Sequence, residues 1–459
     1  MDMAREFAQF IVNTNYDDIP AYVIETQKKS IIDQTAITLG AATLGDGCDK
    51  MVKLAIELAS DGNAESTVVG YDCKLPAPWA AFANGAMAHA LDFGDMQMYA
   101  HVHSNASPYP AGISVAERLG NVSGKELLTA LVIGSEVACR VSLGVNQDLE
   151  KFGFYMPTIY TSFGATATVC KLLGLNEDQC VDALTFNLCQ TTCSAELINS
   201  GKTPVRGIRE AFASRNAVTA AYMAQKGLKG FDNPLEGPLG FYMAYGREPV
   251  NRERALKDLG KVFYCGTLYY KLWPTCASTH SALRCITKLM KDKGLKPEEI
   301  ERIHVEAPIR TKIVLEPDEE KKHPKTSIVA KFSIPYTVSV ALYDGTVGIG
   351  DFNDESYARP EVNEMADKFT HEINENWGKA EAMNTRLTVY TKDRGVMEEF
   401  YTEVGVDPEV TPYEDLVKKL KSCAKFSARP RTEEHLDTLV EKIKDLDKLN
   451  DIREFTAWL

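Results

Sequence analysis

The chain has 459 residues, 44% hydrophobic and 25% charged, with a formal net charge of −13. That length exceeds what a single hydrophobic core organises, so two domains are expected, and the composition is that of an ordinary globular protein. The acidic balance argues against nucleic acid or an anionic membrane surface as the main partner, because both select a basic footprint; an anionic ligand would need a local basic pocket.

The opening MDMAREFAQFIVNT is amphipathic, with no basic region ahead of an apolar core, so no secretory signal is expected. No apolar run approaches the ~18 residues of a membrane span. Eleven cysteines are scattered without a C-x-x-C pair or zinc spacing, mostly in apolar context. Reduced thiols and a cytoplasmic location follow as expectations.

Helical periodicity dominates to about residue 260. Ile19 to Leu44 carries apolar residues at intervals of three to four, and Asp49 to Ala59 repeats the pattern. Pro78 to Ala90 reads as an Ala-rich helix. Ser123-x-x-Glu126 is a capping box that opens a helix through Val141. Gly164 to Leu173, Asp178 to Cys193 and Ala211 to Lys226 read as further helices rich in small residues. After Trp273 a helix, Ser278 to Lys293, is followed by alternating strands at 303–307, 385–390 and 398–404. The expected fold is mainly α: a large all-α helical domain over 1–267, completed by a helix within 426–459, and a smaller α+β lid domain over 268–425.

Three constellations carry chemistry. Residues 89–112, HALDFGDMQMYAHVHSNASPYPAG, place three histidines and the carboxylates of Asp92 and Asp95 around a loop between helices. Histidine titrates near neutral pH and a carboxylate can orient it, which suits proton transfer. A metal reading of His101, His103, Asp92 and Asp95 lacks a second ligand cluster, so no metal and no cofactor are expected. The same residues also fit a solvated loop beside a buried helix.

The second constellation, GKTPVRGIREAFASR over 201–215, presents Lys202, Arg206, Arg209 and Arg215 at a helix start. In so acidic a chain this cluster suits a carboxylate or phosphate; a solvated helix start is the alternative. The third is KLWPTCASTHSA, with Lys271, Cys276 and His280 at the expected domain junction. A Cys276–His280 nucleophilic dyad is disfavoured, since an i,i+4 pair with no orienting third group is commonly incidental.

HALDFGD with the His103 loop, TSFGATATVCKLLGL (161–175), AFASRNAVTAAYMAQKGLKG (211–230), YYKLWPTCASTH (269–280) and AKFSIPYTVSVALYDG (330–345) together resemble the ordered blocks of the MmgE/PrpD family. That family includes 2-methylcitrate dehydratase, cis-aconitate decarboxylase and iminodisuccinate epimerase. The resemblance spans nearly the whole chain. It implies a helical domain with an α/β lid, a homodimer, and a cofactor-independent site for small di- or tricarboxylates at the domain junction. Asp92, His103, Lys271 and His280 match family motif positions. The chain departs from the family in three places: Gly94 stands for a carboxylate in DFDD, Met156 for a histidine beside Tyr155, and Val205-Arg206-Gly207-Ile208-Arg209 for T-K-x-x-H.

On this reading Asp92, His103, Lys271, His280 and Tyr155 are the catalytic candidates, with Asp92 orienting His103. His101, Lys202, Arg206 and Arg209 are the substrate-binding candidates. Dehydration and decarboxylation of polycarboxylates pass through a carbanion or aci-carboxylate, which fixed cations stabilise. The expected activity is a lyase of dehydratase or decarboxylase type. A dicarboxylate epimerase and a non-catalytic carboxylate-binding homologue are the alternatives.

Overall fold

The computed structural model describes residues 2–198, 203–378, 381–402 and 411–459. They form two compact units: the residues up to Tyr270 together with those from 411 onward, and those from Lys271 to 402. The fold is mainly α with a small α+β portion.

The first unit is built around helix Ala21–Leu44, most of whose residues are buried. A helix buried on nearly all sides must satisfy its polar groups internally. Gln27, Ser30 and Asp33 lie on one face at three-residue spacing. All three are buried, and they serve the loop described below.

Cys48–Leu58, Ala77–Met87 and Gly124–Leu143 pack on this helix, and Pro108–Leu119, Met156–Leu172, Glu177–Gln190 and Glu210–Gln225 pack on those and on one another. Ser123 caps its helix as the sequence predicts: its hydroxyl accepts from the Glu126 amide, and the Glu126 side chain takes the Ser123 N–H at 2.7 Å. Helices Gly124–Leu143 and Met156–Leu172 approach so closely that a Cβ on Gly134 would collide with Thr168, and one on Gly164 with the Gly134 carbonyl. The small residues of this half therefore serve close helix packing. Met156–Leu172 begins eight residues before the expected Gly164, with Pro157 in its first turn, where a missing N–H costs nothing.

In the second unit, helix Ala277–Lys293 packs on a four-stranded sheet in the order Phe369–Ile373, Ile300–Ala307, Thr385–Thr391 and Gly395–Tyr401. The first pair is parallel and the others antiparallel. Thr385, Leu387, Val389 and Thr391 face the core from alternate positions of one strand. Strand Phe369–Ile373 was not legible, because only Phe369 of its five residues is fully buried and the apolar alternation is lost.

Helix Tyr413–Ala424 lies in the first unit, whereas the sequence reading carried the lid to 425. Leu416, Leu420 and Cys423 form its buried stripe, and the helix packs on Ala21–Leu44. Lys419, buried on that stripe, forms an ion pair with Asp33 at 2.6 Å. Glu433–Lys444 follows with Leu436, Leu439, Val440 and Ile443 buried, and also packs on Ala21–Leu44. Among the described residues no helix is long and apolar enough to cross a membrane.

Candidate functional site

The loop between helices Ala77–Met87 and Pro108–Leu119 is tied down along its length. Met96 and Tyr269 exchange two main-chain hydrogen bonds at 2.8 Å. Gln97 and Val102 pair across a tight turn, and the Gln97 amide side chain donates to the Thr267 hydroxyl at 3.0 Å while accepting from the Ala100 N–H at 2.7 Å. Asp92 and His101 both adopt left-handed backbone, with φ of 52°. For residues bearing a Cβ this conformation is uncommon and persists only where surrounding contacts impose it.

At this loop His89, Asp92 and His103 converge. The two imidazole rings are 4.3 Å apart at an interplanar angle of 55°. His89 Nε2 lies 3.8 Å from Asp92 Oδ1, and Arg206 donates to Asp92 Oδ2 at 3.0 Å. His89 and Asp92 are buried, while His103 and Arg206 are half-buried. His89 was not among the sequence candidates; it is brought to Asp92 by a turn just past the helix end, closed by the Asp92 N–H donating to the His89 carbonyl at 3.1 Å.

His103 Nδ1 bonds the main-chain carbonyl of Asp95 at 2.7 Å. A carbonyl oxygen only accepts, so Nδ1 carries the proton and, in the neutral ring, Nε2 holds the lone pair. The sequence reading gave the orienting role to Asp92. The Nδ1 anchor is main-chain, and a carboxylate oxygen of Asp92 lies within 4.8 Å of a His103 ring nitrogen.

His89, Asp92 and His103 each offer one ligand atom, all within 4.8 Å of one another, which is a donor set able to hold a divalent cation. The sequence's metal reading held Asp92 and His103 of this trio but not His89, and His101, also part of that reading, is exposed. A cation at the trio would share Asp92 with the Arg206 guanidinium.

Asp95 is fully buried, and its carboxyl is pushed up to about 7, first by burial and then by the neighbouring Asp33 carboxylate. Hydrogen bonds from Asn105 and Ser30 and the charge of Lys419 oppose that rise. Asn105 donates to Asp95 Oδ2 at 2.8 Å and accepts from Gln27 at 2.9 Å. At Gly94, between the two aspartates, an added Cβ would stand 3.2 Å from Ile37 Cδ1 and 3.3 Å from Gln34 Nε2, so any side chain there presses on helix Ala21–Leu44.

The two arginines separate. Arg206 lies in the short helix Val205–Ile208 and pairs with Asp92. Arg209 is 1% exposed, and its Nε donates to Thr158 Oγ1 at 2.7 Å and lies 3.3 Å from Glu210 Oε1. Its guanidinium sits 4.8 Å above the Tyr155 ring. Glu210 accepts from Thr158 and Thr161 at 2.8 and 3.0 Å and from Ser107 at 2.5 Å. This network joins the start of helix Glu210–Gln225 to Met156–Leu172 and Pro108–Leu119. Arg209 and Tyr155 are thus tied into a buried network, and the side chains of Arg209 and Arg206 have different partners, although the Arg209 guanidinium also donates to the Arg206 carbonyl.

Lys202 lies outside the described residues. Lys271 and His280 belong to the second unit, where both are buried. The His280 ring meets that of Trp273 edge-on at 5.2 Å, and the Cys276 N–H at the start of the same helix donates to the Lys331 carbonyl at 2.9 Å. A separate cavity of about 640 Å3 in the first unit is bordered by Cys193, Leu197, Arg209, Phe212, Arg215 and Asn216 among others, and includes none of the clustered loop residues.

The profile of the MmgE/PrpD N-terminal domain matches residues 5–253, and that of the MmgE/PrpD C-terminal domain matches 273–445. The chain belongs to the MmgE/PrpD family. The C-terminal match runs through helix Tyr413–Ala424 into Glu433–Lys444, both of which pack in the first unit. Cis-aconitate decarboxylase of Mus musculus is 26% identical over 97% of this chain and 91% of its own length. The enzyme of the same name from Homo sapiens is 26% identical over 100% and 94%, respectively. Cis-aconitate decarboxylase-like protein oryM of Aspergillus oryzae is 24% identical over 99% and 97%.

Proposed function

We propose that this protein is a cofactor-independent lyase that decarboxylates or dehydrates a small di- or tricarboxylate, with cis-aconitate the first compound to test. The observation that carries the reading is the meeting of an anchored imidazole, His103, with a guanidinium–carboxylate pair, Arg206 and Asp92, at one half-buried loop. The full-length likeness to cis-aconitate decarboxylases supports the same class.

The chemistry follows from the charges. Loss of carbon dioxide leaves its electron pair on carbon, and dehydration begins with removal of a proton beside a carboxylate, so both build negative charge next to an existing anion. Arg206 offers fixed positive charge and bidentate recognition of a carboxylate. His103, held through Nδ1, presents Nε2 to accept a proton or, once protonated, to return one to the carbanion. Asp92 holds Arg206 in place through the 3.0 Å hydrogen bond between them. Lys271 and His280 are proposed as further catalytic residues, Tyr155 as a support for Arg209, and a homodimer as the working assembly.

The test is incubation of the purified protein with cis-aconitate and a panel of related di- and tricarboxylates, following carbon dioxide release and double-bond formation. Catalytic release of carbon dioxide or water supports the lyase. Exchange of an α-hydrogen without net conversion supports the epimerase, and silence across the panel favours a carboxylate-binding homologue.

A further inference from the structure

Behind the loop lies a buried charge cluster that the proposed chemistry does not itself use. Lys419 donates to Asp33 Oδ1 at 2.6 Å and to the main-chain carbonyl of Phe93 at 2.5 Å, with its ammonium 3.6 Å from the centre of the Phe93 ring. Asp33 Oδ2 accepts the main-chain N–H of Asp95 at 2.9 Å. The carbonyl of that same Asp95 holds His103 Nδ1. Lys419 and Asp33 therefore clamp the chain on both sides of Gly94, the residue whose backbone is intrinsically the most permissive in the motif. Lys419 is 7% exposed and Asp33 0%. Burying two charges is costly unless they are paired and bonded, and replacing such a pair with apolar groups is often neutral for stability. A bare structural role thus gives a weak reason for an ammonium here.

The geometry points to Lys419 and Asp33 as positioning residues that fix the peptides on either side of Gly94 and so, one residue further on, place the Asp95 carbonyl that sets the tautomer and aim of His103. The C-terminal segment that returns to the first unit thereby supplies the cation that sets the loop. A buried ammonium reaching both a carboxylate and a neighbouring carbonyl gives a geometric constraint that an apolar pair lacks, and a misplacement of about 1 Å at a catalytic group can cost about 10²-fold in rate. The inference rests on His103 being the proton-transfer group, and its test separates the two claims.

Full-length protein labelled with 15N at histidine is read by NMR, with the His103 signals assigned by their loss in His103→Gln. The wild type should show the Nδ1-protonated tautomer. The double variant Asp33→Ala/Lys419→Met removes both charges together, which avoids an uncompensated buried ion. Folded, it should show His103 redistributed between tautomers and a turnover lower by roughly 10²-fold, with KM little changed. Asp33→Asn/Lys419→Met restores an acceptor for the Asp95 N–H and should recover part of both signals. Should the first double variant fold poorly, the second alone must show a measurable tautomer shift. A His103 spectrum and turnover unchanged in the folded variants overturn the proposal. If His103→Gln keeps full turnover, the catalytic reading fails, while the tautomer readout still decides whether the clamp holds His103.

Discussion

His103 donates from Nδ1 to the carbonyl of Asp95, 2.7 Å away, so the ring is oriented by the main chain of its own loop. A peptide carbonyl does not titrate, so the acceptor of this bond is the same at any working pH, and the proposed proton transfer is assigned to Nε2. The Asp95 carboxyl, by contrast, is held elsewhere by Asn105, and the two ends of this residue have separate consequences.

The first consequence concerns stability. Asp95 is raised from its ordinary value to about 7, so the folded state keeps a proton that the unfolded chain releases above about pH 4. Stability is lost as pH rises from about 4 to 7 and levels off above, by an amount on the order of 4 kcal/mol. Asp95→Asn retains an acceptor for Asn105 and never ionises. Its melting temperature relative to wild type should climb between pH 5 and 8, with the carbonyl anchor and turnover within a few-fold of wild type. A melting difference independent of pH would show that the carboxyl does not titrate in this range.

Arg206 stays charged at any working pH and cannot shuttle protons. Arg206→Lys should therefore weaken substrate binding by about 1–3 kcal/mol, the scale of a charge-assisted hydrogen bond, with the pH profile of the chemical step in place. Steady-state kinetics across pH read this directly. A displaced pH optimum with unchanged affinity would place the proton path through the Arg206–Asp92 pair.

Arg209 should behave differently from its neighbour. Leaving Glu210 buried without its cation costs about 3–5 kcal/mol, so Arg209→Met should lower the melting temperature sharply. Thermal unfolding of the variant beside Arg206→Met separates scaffold from site. Equal stability with a large rise in KM would return Arg209 to the substrate-binding set.

The trio His89, Asp92 and His103 makes chelation informative. On the cofactor-independent reading, activity survives prolonged EDTA treatment and dialysis. Loss restored by one divalent ion would make these three residues its ligands and recast His103 as a metal-binding group.

Much of the fold was legible because apolar periodicity and caps are local signals: the Ser123 capping box and the helix it opens stand where the sequence places them. The loop was legible from histidine and aspartate types alone. The partition of roles within it was not, because the anchor of His103 is a main-chain atom and no residue type announces it. Asp33 gave a faint signal as a charge within Ile31-Ile32-Asp33-Gln34. Lys419 gave none, since one lysine in KKLKS looks like a solvated helix face until the chain returns it to Asp33. The separation of Arg206 from Arg209 was likewise invisible, because three-residue spacing suggests a shared face while the short helix Val205–Ile208 ends between them.

The central claim is that His103 moves a proton to or from the reacting carbon of a small polycarboxylate. Proton NMR in deuterated water, with cis-aconitate and its relatives as substrates and His103→Ala beside the wild type, tests it most directly. The account predicts conversion with deuterium entering the product carbon for the wild type, and a rate lower by about 10² or more in a variant whose circular dichroism is unchanged. Equal rates and equal deuterium incorporation in the two proteins would contradict it.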